Sequence, residues 1–586
     1  MYEILKGINS PEDVKKLSIA ELNELATDIR EALFNRLTKI GGHFGPNFGM
    51  VEMTIALHYV FNSPYDKFVF DVSHQTYPHK MLTGRKNGYI VDEEFKNDSG
   101  YSNPEESEHD LFNVGHTSTS ISLASGLAKA RDVLGEHENV IAIIGDGSLS
   151  GGEALEGLNV AGSEIKGNMI IIVNDNQQSI SETHGGIYKN LELLRNTDGK
   201  AQNNMFTAIG LDYVYEKNGN DIATLIELFK KIKDIDHPIV VHINTQKGKG
   251  YKPAEINKEA WHWCMPFDRE TGKPKFAFSG ETYTGIAKNY ILSKAKTDEK
   301  VVVVTPNMPG SFGLSISDRE SLGERFVDVG IAEEQAVAMA SGIAKRGGKP
   351  ILITNTTFMQ RTYDQVSQDL CINDNPVTIL LNYANFDGLT DVTHLGIFGI
   401  ALFSNIPNLV LLAPSSKEEL LEMLEYSVDK STHPTMILLP GNAVVSRKSE
   451  LPIERINEYE ITKHGKDVAI IALGDFYQKG EELCNRLENN GINATLVNPR
   501  NASILDEKTL NGLLADHKLV VTLEDGVLDG GFGEKIARFF GDKNILVKNF
   551  GLEKKFYDRY NPGELLKELG MDIDSLVRYV EETLNK

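Results

Sequence analysis

A chain of 586 residues is longer than one hydrophobic core organises, and at roughly 100–200 residues per domain it is expected to fold as about three to five. Its 41% hydrophobic and 24% charged shares are ordinary for a globular protein and exclude long disordered or fibrous stretches. With 60 Lys and Arg against 83 Asp and Glu the net charge is −23, an acidic surface that repels nucleic acid and anionic membrane.

A phosphorylated ligand on such a surface has to be held locally, by a metal ion, helix N-termini or a few cations. The segment Met1-Tyr2-Glu3-Ile4-Leu5-Lys6 lacks a basic region followed by an apolar one, and no apolar run approaches the roughly 18–20 residues that cross a bilayer. Neither export nor a membrane anchor is expected. Cys264, Cys371 and Cys484 are far apart and in no CxxC spacing, so neither a disulfide framework nor a zinc site is indicated and a reducing cytoplasm fits best.

In chain order, Ser10-Pro11-Glu12-Asp13 places a capping hydroxyl, a proline at the first helical position and acids in the first turn, and predicts a helix running to Lys39. Short apolar runs then alternate with helix-like segments: Val140–Ile144, Met169–Val173 and Ile239–Ile243, which predicts a mostly parallel sheet covered by helices. A second α/β unit is expected after the polar stretch Asp268–Lys275, with runs at Val301–Thr305, Pro350–Thr354, Val377–Leu381 and Leu409–Leu412. A third follows Pro440-Gly441, with runs at Val468–Leu473, Ala494–Val497 and Leu519–Leu523. The expected domains are therefore 1–275, 276–450 and 451–586.

The chemistry concentrates where strands end. Gly145-Asp146-Gly147 follows the run Val140–Ile144, and Asn174-Asp175-Asn176 follows Met169–Val173. In a parallel sheet such strand ends lie side by side at the ligand-binding edge. Asp146 and Asn176, with a backbone carbonyl nearby at Gln178, then offer oxygens to one hard cation such as Mg2+, and the glycines let a diphosphate approach the backbone. Gly-Asp-Gly alone also reads as a turn with an Asp cap; two such clusters about 30 residues apart, with a helical segment between them, form the thiamine-diphosphate signature.

Further motifs occur in a fixed order: Gly41-Gly42-His43, the segment from Asp71 to Lys80, Gly115-His116-Thr117, Lys247-Gly248-Lys249-Gly250-Tyr251, Ile331-Ala332-Glu333 and Thr357-Phe358-Met359-Gln360-Arg361. Together with the two strand-end clusters they resemble the 1-deoxy-D-xylulose-5-phosphate synthases over essentially the whole chain. The resemblance implies a transketolase-like α/β fold of three domains, for the diphosphate, the pyrimidine and the C-terminus. It also implies a homodimer, thiamine diphosphate and Mg2+ as cofactors, and a role in isoprenoid and thiamine biosynthesis. It implies decarboxylation of pyruvate and addition of the two-carbon unit to an aldehyde, glyceraldehyde 3-phosphate in the family.

By the same resemblance His74, Gly115, His116, Thr117, Gly147, Ser148 and Tyr251 match cofactor contacts, and Asp146, Asn176 and the Gln178 carbonyl match the metal shell. Phe358 matches the aromatic residue on the aminopyrimidine. His43, His262 and His394 match active-site histidines, with His43, Arg361 and His394 towards the substrate. Glu333 matches the carboxyl that shares a proton with the aminopyrimidine; read from its own segment, it is equally a solvated residue starting a helix. His262, between Trp261 and Trp263, reads either as a core residue or as part of a partly desolvated pocket.

The acceptor side departs from the family. Where its members have arginines in Asp-Arg-Ala-Gly and Pro-Arg-Gly segments that help hold the acceptor phosphate, this chain reads Asn382-Tyr383-Ala384-Asn385 and Leu439-Pro440-Gly441-Asn442. Asn355, Thr390 and Gln335 also differ, while Arg361 is kept, and Asp391 or Arg447 on a shifted loop are the candidates to compensate. The expectation is a synthase with an altered acceptor. Its rivals are a ketol transferase that does not decarboxylate, the decarboxylating component of a 2-oxo acid dehydrogenase, and a non-catalytic cofactor-binding scaffold. The third-domain motif Asp529-Gly530-Gly531-Phe532-Gly533, beside Glu524 and Asp525, is too acidic for a phosphate loop and reads as a structural or dimer-contact element.

Overall fold

The structure, a computed structural model, describes residues 2–276 and 280–585. Contacts divide the chain into two compact units: residues up to 279 together with Gly330–Ala332, and residues 280–329 together with Glu333 onward.

In the first unit a short antiparallel pair, β1 (Gly42–His43) with β7 (Trp263–Cys264), brings the two histidine-bearing segments side by side, His43 opposite Trp263. The main sheet comprises β2 (Lys67–Phe70), β3 (Val140–Gly145), β4 (Met169–Asp175), β5 (Asp212–Glu216) and β6 (Pro238–Asn244), all parallel in the order β2-β3-β4-β6-β5. The unbroken apolar runs have the reason anticipated from sequence, since both faces of the sheet are covered. Ile141, Ile143, Ile170 and Ile172 enter one core, and Val140, Ala142, Ile144, Met169, Ile171 and Val173 enter the other.

The helix expected from Ser10 to Lys39 is two helices, Pro11–Val14 and Ile19–Ile40. Ser18 starts the second with its own capping box, its hydroxyl accepting from Glu21 N and its backbone N–H donating to the Glu21 carboxylate. The chain turns out of that helix at Gly41, whose φ of +76° suits glycine.

The second unit holds two sheets. One comprises β8 (Val301–Thr305), β9 (Phe326–Asp328), β10 (Lys349–Asn355), β11 (Thr378–Asn382), β12 (Val410–Leu412) and β13 (Thr435–Leu438), parallel in the order β12-β13-β11-β10-β8-β9. The other comprises β14 (Glu460–Lys463), β15 (Asp467–Ala472), β16 (Thr495–Asn498), β17 (His517–Val527) and β18 (Leu546–Leu552), with β14 antiparallel at an edge. Leu352, Ile379 and Leu381 share one core with Ala469, Ile471, Val497 and Val520, which joins the two sheets in a single unit.

The acidic glycine loop of the last sheet is structural. Buried Glu524 accepts the backbone N–H of Phe532 at 2.8 Å and of Gly533 at 2.7 Å, closing the start of the helix Phe532–Phe540 with a side-chain carboxyl. The cysteines are free and buried, each in a different core: Cys264 under the first sheet, Cys371 between the second and third, Cys484 on the far face of the third. Among the described residues no helix is long and apolar enough to cross a membrane.

Candidate active site

Loops at the C-terminal ends of β2, β3 and β4 converge in the first unit. β3 and β4 are in register with Gly145 opposite Asn174, so Asp146 and Asn176 leave adjacent strands at the same level. Asp71, just past β2, is buried and accepts the N–H groups of Ser118 at 2.8 Å and Ser120 at 3.0 Å, which fixes the loop carrying Gly115, His116 and Thr117. Ser118 Oγ donates to the Ser148 carbonyl at 2.8 Å, tying that loop to the turn after β3. Gly147 has no room for a side chain, because Ser179 stands 2.6 Å from where a Cβ would lie.

Two oxygens in this cradle, Asp146 Oδ2 and Asn176 Oδ1, are buried without a hydrogen-bond partner. A buried anion without a partner is costly, and together with the nearby backbone carbonyls this is the oxygen donor set of a hard cation. The residues present fit Mg2+. Gln178 follows just beyond Asn176, in a narrow bridge with Glu182.

Burial and the neighbouring Asp175 push the Asp146 carboxyl up to about 8. Asp175 is itself fixed by His242 Nε2 at 2.8 Å and by Arg195. Opposite stands Lys247, buried, donating to the Ser179 carbonyl and lying 3.0 Å from His262 Nδ1. Burial pulls its ammonium down to about 7, with Asp146 opposing.

Two of the three histidines expected at the reacting carbons, His43 and His262, gather here with His74, whereas His394 belongs to the second unit. The His43 ring lies 4.8 Å from that of His74 and 5.8 Å from that of His262, and His74 and His262 are 5.2 Å apart. His262 is half-buried, with the His43 and His74 rings and Lys247 as neighbours. Burial lowers His74 to about 4, and burial with the Lys247 charge holds His262 well below its usual value, so both rings are neutral at pH 7. Tyr251 is elsewhere in its contacts: its hydroxyl donates to the Arg269 carbonyl at 3.0 Å and its ring packs among Phe34, Phe44, Trp261 and Phe267. No residue of the cradle is among these neighbours.

In the second unit Glu333 opens the helix Glu333–Lys345, yet it is only 2% exposed, which removes the solvated reading. Its Oε2 has no hydrogen-bond partner, and the nearest cation, Arg361 Nη1, is 3.6 Å away. Burial raises the carboxyl to about 7, against the pull of Arg361. A carboxyl poised near neutrality with one oxygen uncommitted can both hold and release a proton to a ring nitrogen. Phe358 and His394, on the turns after β10 and β11, meet edge to face at 5.7 Å. Since Arg361 favours the ionised form of Glu333, Arg361→Met is expected to move the limb of the pH–kcat profile governed by Glu333 to higher pH. An unmoved limb would show that Arg361 does not set this carboxyl.

The acceptor departures are also visible. Arg447 is already committed: it donates to Glu419 at 2.9 Å, Ser415 at 2.8 Å and Glu460 at 3.1 Å, and its guanidinium lies 4.4 Å over the Tyr477 ring. Compensating for the missing arginines would require it to leave all of these partners, on which the structure holds it. Asp391, the other candidate, accepts from Thr393 N and Oγ1 and brings another negative charge. Sequence reasoning passed over Asp71, Asp175 and Lys247. All three stood inside the motifs named above, and acids and a lysine next to the expected metal and cofactor residues were the available signal.

Family models for 1-deoxy-D-xylulose-5-phosphate synthase match residues 5–202 and 192–245, that for the pyrimidine-binding domain of transketolase matches 282–445, and that for the transketolase C-terminal domain matches 457–576. The 1-deoxy-D-xylulose-5-phosphate synthase of Alkaliphilus oremlandii is 38% identical over 99% of both chains. That of Caldanaerobacter subterraneus subsp. tengcongensis is 38% identical over 98% of both, and that of Clostridium acetobutylicum 37% identical over 99% of both. With that likeness running from end to end, and with the strand-end cradle and the buried glutamate in place, the chain belongs to the 1-deoxy-D-xylulose-5-phosphate synthase family.

Proposed function

We propose that this chain is a thiamine-diphosphate- and Mg2+-dependent transferase that decarboxylates pyruvate and adds the two-carbon unit to an aldehyde, as the names of its relatives indicate. The observation that carries this reading is Glu333, buried, near neutral in its proton affinity and with Oε2 uncommitted. A scaffold that merely bound the cofactor would gain nothing from such a group, since an unsatisfied buried polar atom costs about 1–3 kcal/mol.

When bound, thiamine diphosphate supplies the carbanion chemistry that side chains lack, with Mg2+ neutralising its diphosphate. Asp146, Asn176 and the Gln178 carbonyl would hold the metal, and Gly115, His116, Thr117, Gly147, Ser148 and His74 would line the diphosphate and thiazolium. Glu333 would exchange a proton with the aminopyrimidine, with Phe358 against that ring. His43, His262 and His394, with Arg361, would face the reacting carbons, and as neutral rings His74 and His262 offer one donor and one acceptor each. Residues 1–275, 276–450 and 451–586 are read as the diphosphate, pyrimidine and C-terminal domains of a cytoplasmic homodimer.

The test is carbon dioxide release and product identification with pyruvate alone, with pyruvate and an aldehyde, and with a lipoyl carrier. Aldehyde-dependent formation of a ketose two carbons longer supports the synthase. Turnover only from a ketose donor, or only with the lipoyl carrier, sinks it in favour of the corresponding rival.

A second reading concerns the acceptor and is favoured by the committed Arg447. Tyr383 and Pro440 provide no guanidinium, and each charged hydrogen bond lost costs about 1.5–3 kcal/mol, roughly ten- to hundredfold in affinity. Unphosphorylated or longer sugar aldehydes are therefore expected to match or exceed glyceraldehyde 3-phosphate in kcat/KM. A low-micromolar KM with efficient turnover of glyceraldehyde 3-phosphate would defeat the altered acceptor and leave the synthase reading intact.

A further inference from the structure

Carboxylates that the chemistry above does not use meet in the second unit. Asp387 lies on the loop after β11, Asp475 in the turn after β15 and Asp525 within β17, and one oxygen of each falls within 4.8 Å of the others. Hydrogen bonds fix Asp525 and Asp475 without supplying a cation. Asp525 Oδ1 accepts Phe386 N at 2.9 Å, and Asp475 Oδ2 accepts Gly441 N at 2.9 Å and Asn385 Nδ2 at 2.8 Å. Among the described residues no Lys or Arg forms an ion pair with any of the three. The cation whose field reaches Asp525 is Lys479, and its ammonium stands 5.6 Å over the Phe476 ring.

A second observation is independent of the acids. Asn385 is 3% exposed, its carboxamide lies against Asp475 through Nδ2, and its Oδ1 has no hydrogen-bond partner. Asp475 Oδ1 is likewise buried and unpartnered. Asn385, Asp475 and Asp525 line one cavity, beside Pro440 and Gly474. Two buried oxygens on residues of one cavity wall, Asn385 Oδ1 and Asp475 Oδ1, thus lack a donor, and a positively charged partner that accepts oxygen ligands would satisfy them.

We propose that Asp387, Asp475, Asp525 and Asn385 form a binding site for a calcium-sized divalent cation, distinct from the metal of the cofactor, which ties the loop after β11 to β15 and β17. The donor set is oxygen only, which selects a hard ion over zinc or copper. Calcium binds oxygens at about 2.3–2.6 Å, so ligands on opposite sides of it stand up to about 5 Å apart; magnesium, at about 2.0–2.1 Å, would require the cluster to contract. The three oxygens lie within 4.8 Å of one another, inside the reach of the larger ion. The ion would cross-link the two sheets that share a core, at the point where three carboxylates otherwise repel one another.

The test is calorimetric titration of Ca2+ into the full chain carrying Asp146→Ala, which disables the cofactor's metal position, and into the same chain with Asp387→Asn added. Asp387 is exposed, so its replacement leaves the fold in place. One Ca2+ per chain is expected in the first protein, with at least about tenfold weaker binding in the second. Should Asp146→Ala fail to fold, cofactor-free wild type and Asp387→Asn are compared, and the second is expected to bind one Ca2+ fewer. No Ca2+ binding at millimolar concentration, or binding unchanged by Asp387→Asn, would overturn the site.

Discussion

Glu333→Gln is expected to leave thiamine diphosphate bound while exchange of the thiazolium proton and turnover both fall by about a hundredfold or more, the usual weight of a positioned acid–base group. The amide keeps the shape of the side chain and fills the same buried space, so a folding defect is not the expected cause. It removes the group that titrates: the carboxyl sits at about 7 because burial raises it and Arg361 only partly restores it. Hydrogen–deuterium exchange followed by NMR on the holoenzyme separates the two effects. Exchange at the wild-type rate would remove Glu333 from the proton relay.

Asp146→Ala is expected to abolish Mg2+-dependent binding of the cofactor, a loss of about a hundredfold or more in affinity, because the diphosphate then meets an acidic protein with one anionic metal ligand missing. The expected effect on the cofactor-free protein has the opposite sign for Asp146→Asn. Asp146 Oδ2 is buried, unpartnered and close to Asp175, so that the carboxyl must take up a proton to sit there, and relieving that unsatisfied group is worth on the order of 1–3 kcal/mol. Without cofactor, Asp146→Asn should therefore melt higher than wild type; with Mg2+ and thiamine diphosphate the order should reverse. Calorimetry showing unchanged cofactor affinity for Asp146→Ala would end the metal assignment.

Many strands are legible as runs apolar on both faces: Val301–Thr305 is read to the residue and Val140–Ile144 falls short by only Gly145, whereas the equally buried Thr435–Leu438 is missed. The first helix was not, because Ser18 and Glu21 repeat the capping pattern of Ser10 and Asp13 within one hydrophobic period, and periodicity does not register the irregular turn between them. At the site, Asp146 and Asn176 could be read because each directly follows a strand, so sequence position fixes spatial position. The role of Glu333 depended on the resemblance; what decides between solvated starter and buried acid is the exposure of one helix turn, a tertiary property. Asp387, Asp475 and Asp525 come from segments far apart in the chain, following β11 and β15 and within β17, and nothing local in the chain marks them as neighbours.

The distribution of the thiols has a use beyond packing. Burial pushes Cys264, Cys371 and Cys484 each up to about 12, so little thiolate forms at neutral pH and reaction with an alkylating or disulfide reagent waits for the surrounding core to open. Because the three cysteines sit in three different cores, the native chain carries a clock for each of those: Cys264 times the opening of one core of the unit that would hold the diphosphate, Cys371 the shared core between the second and third sheets, and Cys484 the outer layer of the third. Mass spectrometry of the labelled peptides would rank those openings in one sample, without introducing a probe.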